Sequence, residues 1–285
     1  MKTIKVKAPA KINLTLEVLN RREDGFHDIR SIMHTINLYD YLTFSAEKAD
    51  GIQIELSGNS SEIPYDEKNL VYKAVIKYLE KAEISDIKIV CYLEKNIPVE
   101  AGLAGGSTDA AAAFFALNKL FDNKLSEYEI SRLCAMIGSD LNFCYRGGCA
   151  ICSSRGEIIR PIPFVEKPVS LVKIKNFKIS AKEAYNEFDR YEKKESDNYT
   201  DKLVKLIVRG DFDDRLLHND LELPMCKKYN VINNMKKFNR NALMSGSGPT
   251  FFILSKNFYV DFEPDEFLVI ENLQTTGKGA EEVIQ

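Results

Sequence analysis

Six cysteines in 285 residues are too few for a disulfide scaffold. A basic excess is missing as well. Lys and Arg number 39 against 42 Asp and Glu, a net charge of −3, whereas a protein that lives on nucleic acid carries a basic surplus. There is no long apolar run: the longest, Ala110 to Leu117, falls far short of a membrane span. The charged start Met1-Lys2-Thr3-Ile4-Lys5-Val6-Lys7 has no apolar stretch of signal-peptide length behind it. The expectation is a cytoplasmic protein with reduced thiols and with neither a nucleic-acid nor a membrane partner. The three histidines, His27, His34 and His218, lack metal-ligand spacing, and no nucleophile elbow or His-Glu-x-x-His pattern occurs. Cys144-x4-Cys149-x2-Cys152 mimics an iron–sulfur spacing, but no cysteine follows until Cys226. Small buried thiols in a strand pair account for it better.

What remains is an ordinary globular composition, 45% hydrophobic and 28% charged. One core stops growing at roughly 250–300 residues, so two domains are expected, 1–160 and 161–285, with the boundary at Arg160-Pro161-Ile162-Pro163. Ile12, Leu14, Leu16 and Val18 alternate with Asn13, Thr15 and Glu17, which predicts a strand with one buried face. Further strands fit Ile52–Leu56, Ile87–Leu93 and Val169–Lys175. Helical patterns fit Asn69–Lys81, Ser107–Phe121, Ser126–Ile137, Ala181–Arg190, Tyr199–Val208 and Met225–Phe238. Ala242–Ser245 and Thr250–Leu254 read as two strands around a Gly-rich turn, and the polar stretch Asp189–Asp197 as a solvated loop. Strands and helices do not alternate strictly, which favours an α+β fold over a doubly wound sheet.

The chemistry concentrates between the strand ending near Leu93 and the helix that follows. Gly102, Gly105 and Gly106 let backbone approach a ligand closely. The helix start adds unpaired N–H groups and the positive end of its dipole. Together these make a phosphate cradle, with Ser107 and Thr108 offering hydroxyls as caps, to phosphate or to a metal ion. A plain loop capped by Ser or Thr before a buried Ala-rich helix is the alternative. No Gly-Lys-Ser/Thr follows, so this is not a Walker loop, and no GxGxxG fingerprint occurs. Asp109 sits awkwardly for phosphate; it would complement the helix dipole or hold metal-bound water.

Pro98-x-x-x-Gly102-Leu103-Ala104-Gly105-Gly106-Ser107-Thr108-Asp109 resembles the phosphate-binding motif of the GHMP kinases, which phosphorylate small-molecule alcohols with ATP. Pro9-Ala10-Lys11-Ile12-Asn13-Leu14 resembles the family's N-terminal motif and Ser245-Gly246-Ser247-Gly248-Pro249-Thr250 its C-terminal glycine motif, so the resemblance spans nearly the whole chain. Arg22-Glu23-Asp24-Gly25-Phe26-His27, Gly138-Ser139-Asp140 and Asn219-Asp220-Leu221-Glu222 are similar to the branch that acts on a cytidine diphosphate-linked alcohol in isoprenoid biosynthesis. Another GHMP alcohol kinase, acting on homoserine, mevalonate or a sugar, and a non-catalytic ligand sensor on the same fold are the rivals.

The resemblance implies a two-domain GHMP kinase fold, ribosomal protein S5 domain 2-like at the N-terminus and ferredoxin-like at the C-terminus. It implies ATP with Mg²⁺, and an ATP site at Pro98, Val99, Glu100, Ala101, Gly102, Leu103, Ala104, Gly105, Gly106, Ser107 and Thr108. The Mg²⁺ ligands stay open, the Ser107 hydroxyl being a candidate. Asp140 is implied as the base, with Lys11 as its cationic partner. Period two puts Lys11 and Asn13 on one strand face, where Asn13 could bond substrate. Phe26 and His27 are implied to stack on and read a cytosine, with Tyr185 as a second aromatic. From the residues alone, Lys11 also fits an exposed surface lysine, Asp140 a turn residue, and Tyr185 a core residue packed on Phe188. Ala104 stands where many members have Gly, a small cost if its φ is negative. Asn142 and Ala181 also depart from the common pattern.

Overall fold

Alternating side chains build the first strand and a second pattern then overrides them. In the computed structural model, which describes residues 2–191, 197–257 and 266–284, β1 (Lys2–Arg21) starts with Ile4 and Val6 buried and Lys5 exposed, but from Ala8 to Val18 every residue is buried. The expected single buried face is therefore corrected to two. The polar face of β1 is covered by later chain. Thr15 Oγ1 lies 2.8 Å from the Thr200 hydroxyl, and the Glu17 carboxylate accepts the Tyr199 and Thr200 amides at 3.1 and 3.0 Å.

The remaining elements follow in order: β2 (His27–Lys48), β3 (Ile52–Gly58), α1 (Leu70–Lys81), β4 (Ile87–Glu94), α2 (Gly105–Leu120), α3 (Glu127–Ile137), α4 (Leu141–Arg146), β5 (Cys149–Ser154), β6 (Ile158–Pro161), β7 (Pro168–Ile174), α5 (Ala181–Phe188), α6 (Tyr199–Arg209), β8 (His218–Asn219), α7 (Glu222–Lys228), α8 (Asn230–Phe238), β9 (Leu243–Met244), β10 (Thr250–Ile253), β11 (Phe267–Thr276) and β12 (Glu281–Glu282). The fold is α+β, as expected. One sheet runs β12-β1-β2-β11-β7-β10-β9. β2 serves three partners in series: β5 along Ile29–His34, β11 at Thr35–Ile36, and β4 along Tyr41–Lys48. The chain's later part returns to β1, through β8 beside Thr15 and Leu16 and through β12 opposite Val6 and Lys7.

Helix caps explain several boundaries. Asn69 accepts the Val71 amide at the start of α1. Ser126 and Glu129 form a reciprocal capping box at α3. Ala110 to Ala113 in α2 are fully buried, most of them in the same core as Phe44 and Leu42 of β2; their small side chains let the helix lie close to the sheet. The expected helix over Met225–Phe238 divides into α7 and α8, because Tyr229 adopts φ −122° and ψ 113°. β2 was not expected at all. The polar residues Asp40, Thr35 and His34 on its buried surface hide its period. All six cysteines are buried and free, with Cys149 and Cys152 in β5. Of the polar stretch 189–197, residues 192–196 lie outside the described residues. Among the described residues, no helix is long and apolar enough to cross a membrane.

His34 ties the sheet to acid stability. It is fully buried on β2, its Nδ1 lies 3.0 Å from the Thr35 carbonyl oxygen, and the Phe164 ring meets it edge-on at 5.2 Å. Burial lowers its pKa from 6.5 to about 4. The unfolded chain therefore binds this proton first as pH falls. Stability present above pH 6.5 is lost progressively toward pH 4. Between pH 7.5 and pH 5 this one group should cost about 2 kcal/mol. Urea unfolding of wild type and His34→Leu at the two pH values checks it: the variant should lose less stability by about that amount, and equal losses would contradict the assignment.

Candidate active site

The strand-to-helix turn after β4 carries the expected nucleotide-binding residues, and three of them, Glu100, Gly102 and Ala104, sit in the left-handed region. Gly102 has φ +73°, and a Cβ there would collide with the Ser245 carbonyl oxygen; only glycine fits. Ala104, the N-cap of α2, has φ +59° and makes no side-chain cap. Negative φ, the condition under which alanine at 104 would cost little, is thus not met, and an L-residue there costs about 1–2 kcal/mol. In return the first turn of α2 keeps its amides free of a side-chain cap, the anion-binding arrangement of a helix start.

A cavity of about 930 Å³ opens over this turn and brings most of the expected residues together. Pro98 through Gly102 and Ala104 through Ser107 line it, as do Lys11, Asn13, Phe26, His27, Asp140 and Tyr185. Two expected nucleotide contacts face elsewhere. Leu103 is buried in the core, and its carbonyl accepts the Lys11 amide at 3.1 Å. Thr108 is fully buried, and its hydroxyl donates to the Pro9 carbonyl at 2.8 Å, pinning α2 to β1. Ser107 keeps its hydroxyl without a protein partner among the described residues and is the loop's available oxygen donor. Glu100, in the lining, pairs with Lys178 at 3.3 Å.

Lys11 is 4% exposed rather than a surface lysine. Its Nζ donates to Asn13 Oδ1 at 2.7 Å and to the Gly102 carbonyl at 3.0 Å. The Ser245 hydroxyl donates to the same Gly102 carbonyl at 3.0 Å. Asn13 is committed to this arrangement, since its amide also donates to Ser31 Oγ at 2.8 Å; it orients Lys11 more than it awaits a ligand. Asp140, the N-cap of α4, leaves its carboxylate without a cap bond. The expected contact between Lys11 and Asp140 is not an ion pair: both line the cavity, and both charges act on the buried Cys144 and Cys152, but no bridge joins them. Burial pushes the Tyr185 phenol up, with the Asp140 and Asp220 charges adding to it.

The aromatic residues are arranged differently from a simple pair. The His27 ring stacks on Tyr185 at 5.1 Å and 16°, and meets Phe188 edge-on at 6.5 Å. Its Nε2 lies 2.7 Å from Asp189 Oδ1, so one of its two nitrogens is taken before any ligand arrives. Phe26 is half-exposed under the Arg155 guanidinium, 5.1 Å from the ring centre, a cation–π contact. Asp189, expected in a solvated loop, and Arg155 are both contributors that sequence reading missed.

A third missed group lies beneath the phosphate turn. Lys95, Asp40 and Asp109 are all but completely buried. Lys95 Nζ bonds Asp40 and, at 2.7 Å, Asp109. Asp40 also accepts the Asn96 and Ile97 amides at 2.6 and 2.8 Å, fixing the entry to the turn. Burial works against the Lys95 ammonium, but the Asp109 and Asp40 carboxylates outweigh it and hold its pKa above the usual value. One ammonium cannot satisfy two buried carboxylates. Burial pushes Asp109 well above the usual carboxylate range, and its Oδ1 has no hydrogen-bond partner among the described residues. Asp109, near the start of α2, and Lys95 also reach the lining of the cavity.

Residues 69–148 match the family model of the GHMP kinases N terminal domain. A 4-diphosphocytidyl-2-C-methyl-D-erythritol kinase of Clostridium perfringens is 37% identical over 273 residues, covering 93% of each chain. One of Syntrophomonas wolfei is 41% identical over 87% of this chain and 88% of its own. A crystal structure of a 4-(cytidine 5'-diphospho)-2C-methyl-D-erythritol kinase superposes with TM-score 0.74 at 26% identity, over 96% of this chain and all of that one. A homoserine kinase of Cytophaga hutchinsonii, 19% identical with TM-score 0.77 over 99% of this chain and 98% of its own, shares the fold. On identity and coverage of this extent, the chain belongs to the GHMP kinases, in the branch of the 4-diphosphocytidyl-2-C-methyl-D-erythritol kinases.

Proposed function

We infer that this protein transfers the γ-phosphoryl group of ATP to the 2-hydroxyl of 4-diphosphocytidyl-2-C-methyl-D-erythritol, a step of non-mevalonate isoprenoid biosynthesis. The observation that carries the reading is one cavity that collects a glycine turn, a buried lysine, an uncapped carboxylate and an aromatic group. The aromatic group supports a substrate with a flat base over homoserine, mevalonate or a sugar, none of which needs a stacking surface.

Each residue then takes a role. The turn at Gly102–Ser107 and the start of α2 cradle the triphosphate through backbone amides. Lys11, held by Asn13 and Gly102, offsets charge on the transferred group. Asp140 receives the hydroxyl proton; a carboxylate, although a weak base for an alcohol, suffices when the transition state is loose and the proton leaves late. Alignment and charge stabilisation supply most of the rate. Phe26 and Tyr185 offer faces to the cytosine, and the second nitrogen of His27 is left to its edge. Mg²⁺ fits the donor set. Among the described residues no cluster of three His, Cys, Asp or Glu side chains could hold a metal alone, and Mg²⁺ is commonly held largely by phosphate oxygens, here with Ser107 Oγ. When bound it would neutralise charge between the phosphates.

ADP release assayed with the alcohol carrying and lacking its cytidine diphosphate tests the reading. Turnover should require the nucleotide portion, and equal turnover of the bare alcohol would contradict it. Asp140→Asn should lower kcat by roughly 10²–10⁴ with ATP affinity little changed; wild-type turnover in that variant would remove Asp140 from the proton transfer. Phe26→Ala should weaken substrate binding by about 1–3 kcal/mol, the scale of base–aromatic stacking, seen as a higher KM at unchanged ATP affinity. A KM equal to that of wild type would speak against stacking at Phe26.

A further inference from the structure

The four residues Asn219-Asp220-Leu221-Glu222 lie outside the roles above, yet they grip the turn that closes over Lys11. Asn219 is 5% exposed on β8. Its amide donates both hydrogens to that turn, to the carbonyls of Met244 at 2.7 Å and Gly246 at 2.8 Å. Its oxygen accepts the Leu221 amide at 2.9 Å. Glu222 takes the other side of the same segment, accepting the Met244 amide at 2.8 Å while Lys236 holds its second oxygen at 2.9 Å.

The gripped turn rests on the reacting groups. Gly246 adopts φ +54°, and a Cβ there would stand 3.0 Å from Lys11 Nζ, 3.2 Å from the Gly102 carbonyl and 3.3 Å from Asn13 Oδ1. Its backbone thus packs on the lysine nitrogen and on the two oxygens that fix it. The neighbouring Ser245 hydroxyl bonds the Gly102 carbonyl directly. From the Asn219 amide to the Lys11 ammonium there is one intervening residue. Two amide hydrogens are needed at this point, and a carboxylate would set oxygens against two carbonyl oxygens.

We propose that Asn219 is a positioning residue for phosphoryl transfer: it holds the 245–248 turn at the height that keeps Lys11 and the Gly102 carbonyl in register with the phosphates. This rests on the kinase reading above. Displacements of about 1 Å by residues remote from the reacting atoms can cost roughly 10²-fold in rate.

The test compares wild type, Asn219→Asp, Asn219→Ser and Met235→Ala, each confirmed folded at the assay temperature by its melting curve. Met235 is fully buried in the core that contains Met244 and lies outside the cavity, so its variant loosens the same region without touching the clamp. Asn219→Asp should lower kcat roughly 10–10²-fold and weaken calorimetric ATP binding, with KM for the alcohol within threefold. Asn219→Ser, which keeps one donor, should fall between, and Met235→Ala should keep its kcat. A folded Asn219→Asp with kcat within twofold of wild type overturns the proposal, as does an equal loss in Met235→Ala. If the aspartate variant does not fold, Asn219→Ser decides by the same criterion. ATP binding needs no alcohol, so it separates the two readings. Wild-type binding of ATP without turnover counts against the assigned activity, whereas unaltered ATP affinity in both Asn219 variants counts against the clamp.

Discussion

One carbonyl oxygen, that of Gly102, organises the site. It accepts the Lys11 ammonium and the Ser245 hydroxyl, each at 3.0 Å, and so joins three segments separated by more than ninety residues in sequence. A buried ammonium is tolerable only when its donors are used. Here two are, by Gly102 and Asn13, and the cavity lies beside the lysine. The requirement for positive φ at Gly102 and the absence of room for a side chain there are the local cost of bringing the backbone this close. The strained Ala104 two residues on belongs to the same turn and lines the cavity together with the start of α2.

Beneath this junction the protein places charge where the hydrophobic core would otherwise continue. Lys95 braces the turn from below, with Asp40 organising the chain before it and Asp109 the helix after it. Such a cluster is a weak contributor to stability, because desolvation offsets most of the attraction. Its value is geometric: it fixes the entry and the exit of a loop whose own residues, mostly Gly and Ala, cannot fix themselves.

The elements that were legible in the sequence are those whose period is unbroken. The starts of α1 and α3 follow from Asn69 and Ser126, and the glycine turns at 102–106 and 245–248 stand out against their surroundings. Lys95 could have been found by the same reasoning. It continues the parity of Ile87, Ile89, Cys91 and Leu93, the buried face of β4, so a charge at that step signals a buried partner. Asp40 likewise shares the parity of Leu42, Phe44 and Ala46. The second buried face of β1 was not legible, because what covers it arrives almost two hundred residues later. The His27–Asp189 contact was hidden for the same reason, a separation of 162 residues with no local pattern to announce it. Tyr229 ends a helix without Gly or Pro, so the division of α7 from α8 left no mark.

The pairing of β1 with β8 and β12 has a consequence for biogenesis. The strand that carries the lysine emerges from the ribosome early, while its neighbours at 218–219 and 281–282, and the turn at 245–248 that seats the ammonium, emerge late. Contacts this distant along the chain make assembly slow. A nascent chain whose later third is still unsynthesised already holds the partners of Lys11 and Asn13 at Gly102 and Ser31, but its Glu17 lacks the Tyr199 and Thr200 amides and its Gly102 carbonyl lacks the Ser245 hydroxyl. The last-made part of the chain therefore completes a site that the first-made strand begins.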